Sequence, residues 1–121
     1  SAAIDFLLDS SLGLENAAEV TSLTTDGITV TFDKGTNSNA PKYYSSGDAV
    51  RVYGGCTVTV SGAEMSKIEL TFGANDGTNE ITVDNGTYAD GKWEGSASSV
   101  TFTVGGTSGN RRFAKISVTK K

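Results

Sequence analysis

Histidine is absent from the 121 residues, and that absence limits the chemistry more than any other feature. It removes Ser–His–Asp and Cys–His nucleophilic catalysis, together with most transition-metal sites, which use imidazole as base or ligand. Cysteine occurs once, at Cys56, so no internal disulfide can form. That fits a cytosolic protein and also a secreted domain whose core suffices alone. No apolar run approaches the length a helix needs to cross a bilayer, so no membrane insertion is expected. Ten basic residues stand against 14 acidic ones, a net charge of −4, and this balance disfavours nucleic acid as a partner. Strong helix formers such as Leu, Gln and Arg are sparse.

What is present belongs to strands and turns. Apolar residues alternate with Thr, Ser, Lys or Glu in Ile28-Val30-Phe32, Cys56-Val58-Val60, Ile68-Leu70-Phe72, Val100-Phe102-Val104 and Ala114-Ile116-Val118. Weaker sets are Ile4-Phe6-Leu8, Val50-Val52 and Ile81-Val83. A period of two with one apolar row describes antiparallel strands buried on one face. Asp26-Gly27, Gly54-Gly55, Ser61-Gly62, Asp76-Gly77, Asn85-Gly86, Asp90-Gly91 and Gly105-Gly106 punctuate these runs, and such pairs supply the positive φ of tight turns. The expectation is one all-β domain over residues 1–121, a two-sheet antiparallel β-sandwich of about eight strands, of the jelly-roll kind. Residues 14–20 are the one helix-like stretch, short enough to be a single turn or a loop. Residues 34–44, with the single proline Pro41, and 84–99, with the single tryptophan Trp93, break the alternation and are expected to be long loops. Loops of that length in compact domains often carry function.

Several phrases together resemble a known kind of module. They are Ile28-Thr29-Val30-Thr31-Phe32-Asp33-Lys34-Gly35, Ala40-Pro41-Lys42-Tyr43-Tyr44, Val50-Arg51-Val52-Tyr53, Ile68-Glu69-Leu70-Thr71-Phe72, Trp93-Glu94-Gly95, Ser99-Val100-Thr101-Phe102-Thr103-Val104 and Gly109-Asn110-Arg111-Arg112. In combination they resemble the accessory jelly-roll domains of secreted, multidomain proteins of gut and rumen bacteria. The resemblance implies an extracellular or cell-surface setting, a monomeric unit cut from a larger secreted chain, and a carbohydrate-binding-like role. It implies no particular binding residues.

Strand parity nominates a surface. If Val50 and Val52 face the core, Arg51 and Tyr53 face outward together. If Ala114, Ile116 and Val118 face inward, Arg111, Phe113 and Lys115 share the outer face. Should the two strands be neighbours, they form a basic-aromatic patch, which Lys42, Tyr43, Tyr44 and Trp93 would extend. Sugar C–H faces stack on aromatic rings, and Arg or Lys adds preference for acidic sugars through charge-assisted bonds. The competing reading packs these residues structurally, with Tyr43-Tyr44 covering one end of the domain and Trp93 in its core. No cofactor is required. Calcium would find oxygen ligands among Asp76, Asn79, Glu80, Asp84 and Asp90, or among Asp5, Asp9, Asp33 and Asp48, although turns use Asp and Asn for backbone reasons alone. A carboxylate-pair glycosidase would need an enclosed site that so small a domain seldom builds. Cys56 sits on an inward row and reads as a buried thiol. Gly105-Gly106-Thr107-Ser108-Gly109 lacks the lysine of a phosphate loop and reads as a hairpin. The leading expectation is a non-catalytic polysaccharide-binding module. Its alternative is a structural or adhesion domain of a bacterial surface protein with no glycan ligand.

Overall fold

Two-residue turns with both central φ angles positive close the tightest hairpins. Asp26-Gly27 (φ 50° and 78°) and Asp90-Gly91 (φ 48° and 83°) are such turns, whose twist matches that of the strands they join. The computed structural model describes residues 2–121 and is all-β, with eleven strands where alternation alone separates about eight. They are β1 (Ile4–Leu7), β2 (Ala18–Glu19), β3 (Ser22–Thr25), β4 (Ile28–Asp33), β5 (Lys42–Tyr44), β6 (Ala49–Tyr53), β7 (Thr57–Phe72), β8 (Ile81–Val83), β9 (Thr87–Ala89), β10 (Lys92–Val104) and β11 (Asn110–Lys120). One 3₁₀ turn, Ser10–Leu12, is capped by the Asp9 carboxylate.

All pairings are antiparallel, in the order β2-β5-β6-β11-β7-β10-β8, with β1 on β11, β4 on β7, β3 on β4 and β9 on β10. The long strand β7 organises the sheet. Its first part pairs with β4 and the end of β10 (Val60 opposite Val30 and Val100), and its second part with β11 and the start of β10 (Ile68 opposite Val118 and Trp93). Between them, Gly62 adopts φ +119°, and a Cβ there would collide with the Gly27 carbonyl oxygen. The Ser61-Gly62 pair thus lies inside a strand and re-aims it instead of ending it. Register shifts follow in β10 between Glu94 and Ser99. Both parts of the sheet feed one buried cluster, which holds Ile28, Val30, Val58, Val60, Val100 and Phe102 together with Met65, Ile68, Trp93, Phe113, Ile116 and Val118.

Residues 14–20 are a turn followed by a short strand; Ala17 takes φ 68° and Ala18–Glu19 pairs with β5. Two local expectations are corrected. Residues 84–99 are not a loop but the β9–β10 hairpin, and their tryptophan is core. The glycine-rich segment 105–109 joins β10 to β11, which flank β7 on opposite sides, so it is no hairpin.

Candidate ligand-binding faces

The central row of β5, β6 and β11 places Lys42 opposite Arg51 and Arg51 opposite Arg112. The neighbouring row, Tyr43 opposite Val50 opposite Phe113, is buried, so the cationic row faces outward. Tyr44 and Tyr53 share that face by parity. The Arg51 guanidinium carbon lies 4.0 Å from the Tyr44 ring centroid, and Lys42 Nζ lies 5.8 Å from that of Tyr53. Tyr53 Oη donates to Tyr44 Oη at 3.4 Å. Burial, then this bond, pushes the Tyr53 phenol above its ordinary value, opposed by the Arg51 charge. The rings are therefore fixed beside the cations by stacking.

Three cations side by side on adjacent strands repel one another. None of them takes part in an ion pair among the described residues. Arg112 Nη1 reaches only the Ala74 carbonyl, at 3.4 Å, and the Nε atoms of Arg51 and Arg112 are buried without a hydrogen-bond partner. The one carboxylate in the row is Glu19, opposite Lys42 at the β2 edge, and it too forms no ion pair.

The other nominated residues lie elsewhere. Tyr43 turns inward, 3% exposed, and its hydroxyl donates to Asp48 at 2.5 Å. That bond, then burial, lifts its pKa to about 12. The folded state thereby holds the phenol neutral at pH values where the unfolded chain ionises. The bond's contribution is intact below about pH 10 and is lost as the pH rises towards 12. Denaturant titrations across that window should show stability falling in the parent and falling less in Tyr43→Phe. Equal slopes would remove the role given to the Asp48 bond.

Trp93 is fully buried, its Nε1 donating to the Asn85 carbonyl at 2.8 Å. Phe113, expected outside with Arg111 and Lys115, is fully buried. The reason is a bulge: the β11 register against β7 shifts between Phe113 and Lys115, so the parity read from Ile116 and Val118 inverts before it reaches Phe113. The same inversion exchanges the arginines. Arg112, not singled out from sequence, faces the cationic row, while Arg111 lies on the opposite side of β11. Lys115 stands apart, with its Nζ 3.7 Å from Asp5 Oδ2.

Arg111 is held on three sides. Its Nε and Nη2 donate to the Asp76 carboxylate at 3.0 and 2.9 Å, its Nη1 to the Asn79 carbonyl at 2.8 Å, and its guanidinium carbon lies 4.1 Å from the Phe72 ring centroid. Beside it opens a pocket of about 460 Å³, lined by Phe72, Tyr88, Glu80 and Asp90 among others. The residues with calcium-compatible oxygens mostly serve the backbone. Asp84 accepts from Thr101 N, Asn79 donates to the Gly105 and Ser108 carbonyls, and Asp76 accepts from Arg112 N. Among the described residues no group of three or more Cys, Asp or Glu side chains converges as a metal site would. Cys56 is buried, its thiol donating to the Asn39 carbonyl at 3.3 Å, and burial raises its pKa.

Comparisons with protein-family models, with curated proteins and with solved structures returned no significant match. The chemistry of these faces is therefore read from their own side chains.

Proposed function

We propose that this domain is a non-catalytic polysaccharide-binding module that holds an acidic polysaccharide on the outer face of β5, β6 and β11. The observation that carries the reading is the row Lys42–Arg51–Arg112, three cations on neighbouring strands without ion pairs in a chain of net charge −4. Such a row costs stability unless an anion occupies it. Carboxylates or sulfates spaced along a polysaccharide would bridge the row by charge-assisted hydrogen bonds, taking up the guanidinium donors, while Tyr44 and Tyr53 offer ring surface to the sugars. An extracellular or cell-surface location, inside a larger secreted protein, belongs to the same proposal, as does a two-layer jelly-roll sandwich. The single core fed by both parts of β7 favours that layering.

Calorimetry or affinity electrophoresis against polygalacturonate, chondroitin sulfate and uncharged dextran tests the reading. Binding to at least one polyanion and none to dextran is expected, weakening as salt screens the charges. Changing Arg51 and Arg112 together to Ala should weaken binding at least about tenfold, since each charge-assisted bond is worth about 1.5–3 kcal/mol. Affinity unchanged in that variant sinks the proposal. A second reading, a spacer or adhesion unit with no glycan ligand, draws on the burial of Tyr43, Trp93 and Phe113. It predicts no binding to any of the three polymers.

A further inference from the structure

Arg112 and Arg111 leave β11 on opposite faces, and the face of Arg111 has a different chemistry. We propose that the pocket beside Arg111 is a second carbohydrate site, which takes a single uncharged pyranose ring. It stands independently of the cationic row.

Two aromatic rings give the pocket apolar walls, and each is braced from behind. Phe72 packs edge-on against Phe113 with centroids 5.5 Å apart, and Tyr88 against Phe102 at 5.8 Å. Rings fixed in this way offer stacking surface to sugar C–H groups at little entropic cost. Arg111 supplies polar edges. Three of its five N–H groups are engaged by Asp76 and Asn79, which leaves two donors in a fixed plane. Glu80 and Asp90 supply acceptors, because neither carboxylate takes part in a side-chain hydrogen bond or ion pair among the described residues. Vicinal hydroxyls of a pyranose would find donors and acceptors together, as small-ligand sites require.

The backbone fixes one side of the pocket. Gly91 adopts φ +83°, and a Cβ there would come within 2.9 Å of the Leu70 carbonyl oxygen and 3.6 Å of the Phe72 ring. The Asp90-Gly91 turn therefore packs flat against β7 and carries the Asp90 carboxylate to the rim. A volume of about 460 Å³ lies in the lower half of the usual range for small-ligand sites, which fits one ring in place and the rest of a chain outside.

Charge selects against acidic sugars. The lining carries Arg111 against Glu80 and Asp90, and since Asp76 outside the pocket already neutralises Arg111, the two lining carboxylates are left uncompensated. A uronate or sulfate entering here would meet like charge. The ligand class is therefore the reverse of that of the cationic row.

Saturation-transfer NMR and calorimetry with xylo-, cello-, manno- and galacto-oligosaccharides test the proposal. At least one series should bind at millimolar affinity or tighter, with little dependence on salt. Binding should fall at least tenfold in Tyr88→Ala and in the isosteric double variant Glu80→Gln/Asp90→Asn. The second variant keeps the test sound if the first fails to fold. The double variant Arg51→Ala/Arg112→Ala should bind these neutral sugars as the parent does, which separates the outcome from that of the polyanion experiment. The proposal is overturned if none of the four series binds, if binding survives in Glu80→Gln/Asp90→Asn, or if calcium alone raises Tm and Asp90→Asn abolishes that rise.

Discussion

Trp93→Ala is expected to remove about 3–5 kcal/mol of stability, the usual cost of deleting a fully packed large aromatic side chain. Domains of this size hold only about 5–15 kcal/mol in all, so the variant should be marginal at room temperature. The ring is fully buried, stands opposite Ile68 on β7 and Tyr88 on β9, and closes its hydrogen bond on Asn85. Two glycines bracket it. A Cβ at Gly95 would sit 2.7 Å from the Trp93 Cζ2 atom, and one at Gly86 would press on the indole nitrogen. The surrounding backbone is shaped to this one side chain and has little means of collapsing into the space it leaves. Trp93→Phe keeps most of the burial but strands the Asn85 carbonyl, and should cost about 1–3 kcal/mol. Urea titrations measure both, and a loss below about 1 kcal/mol for the alanine variant would contradict this account of the core.

Asp76→Ala should be nearly as damaging. One carboxylate anchors the Arg111 guanidinium through two nitrogens and also accepts from the Arg112 backbone N–H at 2.7 Å. Both charged side chains are less than one-fifth exposed. Removing the anion leaves a guanidinium poorly hydrated and unpaired against Phe72, the situation in which breaking a buried pair costs far more than the pair itself contributes. Partial exposure lowers the figure, and about 2–3 kcal/mol is expected. Asp76→Asn retains an acceptor for Arg112 N–H and should lose less. The double variant Asp76→Ala/Arg111→Leu should recover part of the loss, because no stranded charge remains. Additive losses in that cycle would show that the two residues do not act as a pair. Since Arg111 also lines the pocket proposed to take a neutral sugar, Asp76→Ala should disturb that pocket while Lys42, Arg51 and Tyr44 keep their places.

Alternation is a reliable guide wherever a strand keeps one register, and it fails where strands are long. Ile28, Val30 and Phe32 and the Val58–Val60 and Val100–Phe102 rows face the core as their spacing requires. In β11 the apolar residues Phe113 and Ile116 are three apart, an odd separation on what looks like one strand. That spacing is the legible mark of a bulge, and it would have moved Arg112 rather than Arg111 onto the outer face. β10 hides its irregularity better. Trp93 and Val100 are both buried, seven residues apart, and the polar run Glu94-Gly95-Ser96-Ala97-Ser98-Ser99 between them carries no period at all. Short strands such as β2 and β8 depend on neighbours far away in sequence, as when Ala18 pairs with Tyr43 and Ile81 with Val104, and propensity cannot supply a partner. For the candidate faces, sequence parity brought out Arg51 and Tyr53, while Lys42 and Tyr44, expected in a loop, join them because residues 42–44 form β5 beside β6. The pocket beside Arg111 was illegible because its walls come from β7, β8, β9 and β11, which only the fold brings together.

The pairing of β1 with β11 sets Ile4 against Val118 and Leu7 against Lys115, and this bears on how the domain carries load. The first strand and the end of the last strand run in opposite directions as immediate neighbours, so tension applied through Ile4 and Val118 acts across the ladder and not along it. The hydrogen bonds between these strands then meet the force one after another, as in a zipper, instead of sharing it as bonds in shear do. β1 is then the element expected to yield first under such tension, and its release would uncover Phe6 and Leu8, both buried in the folded domain.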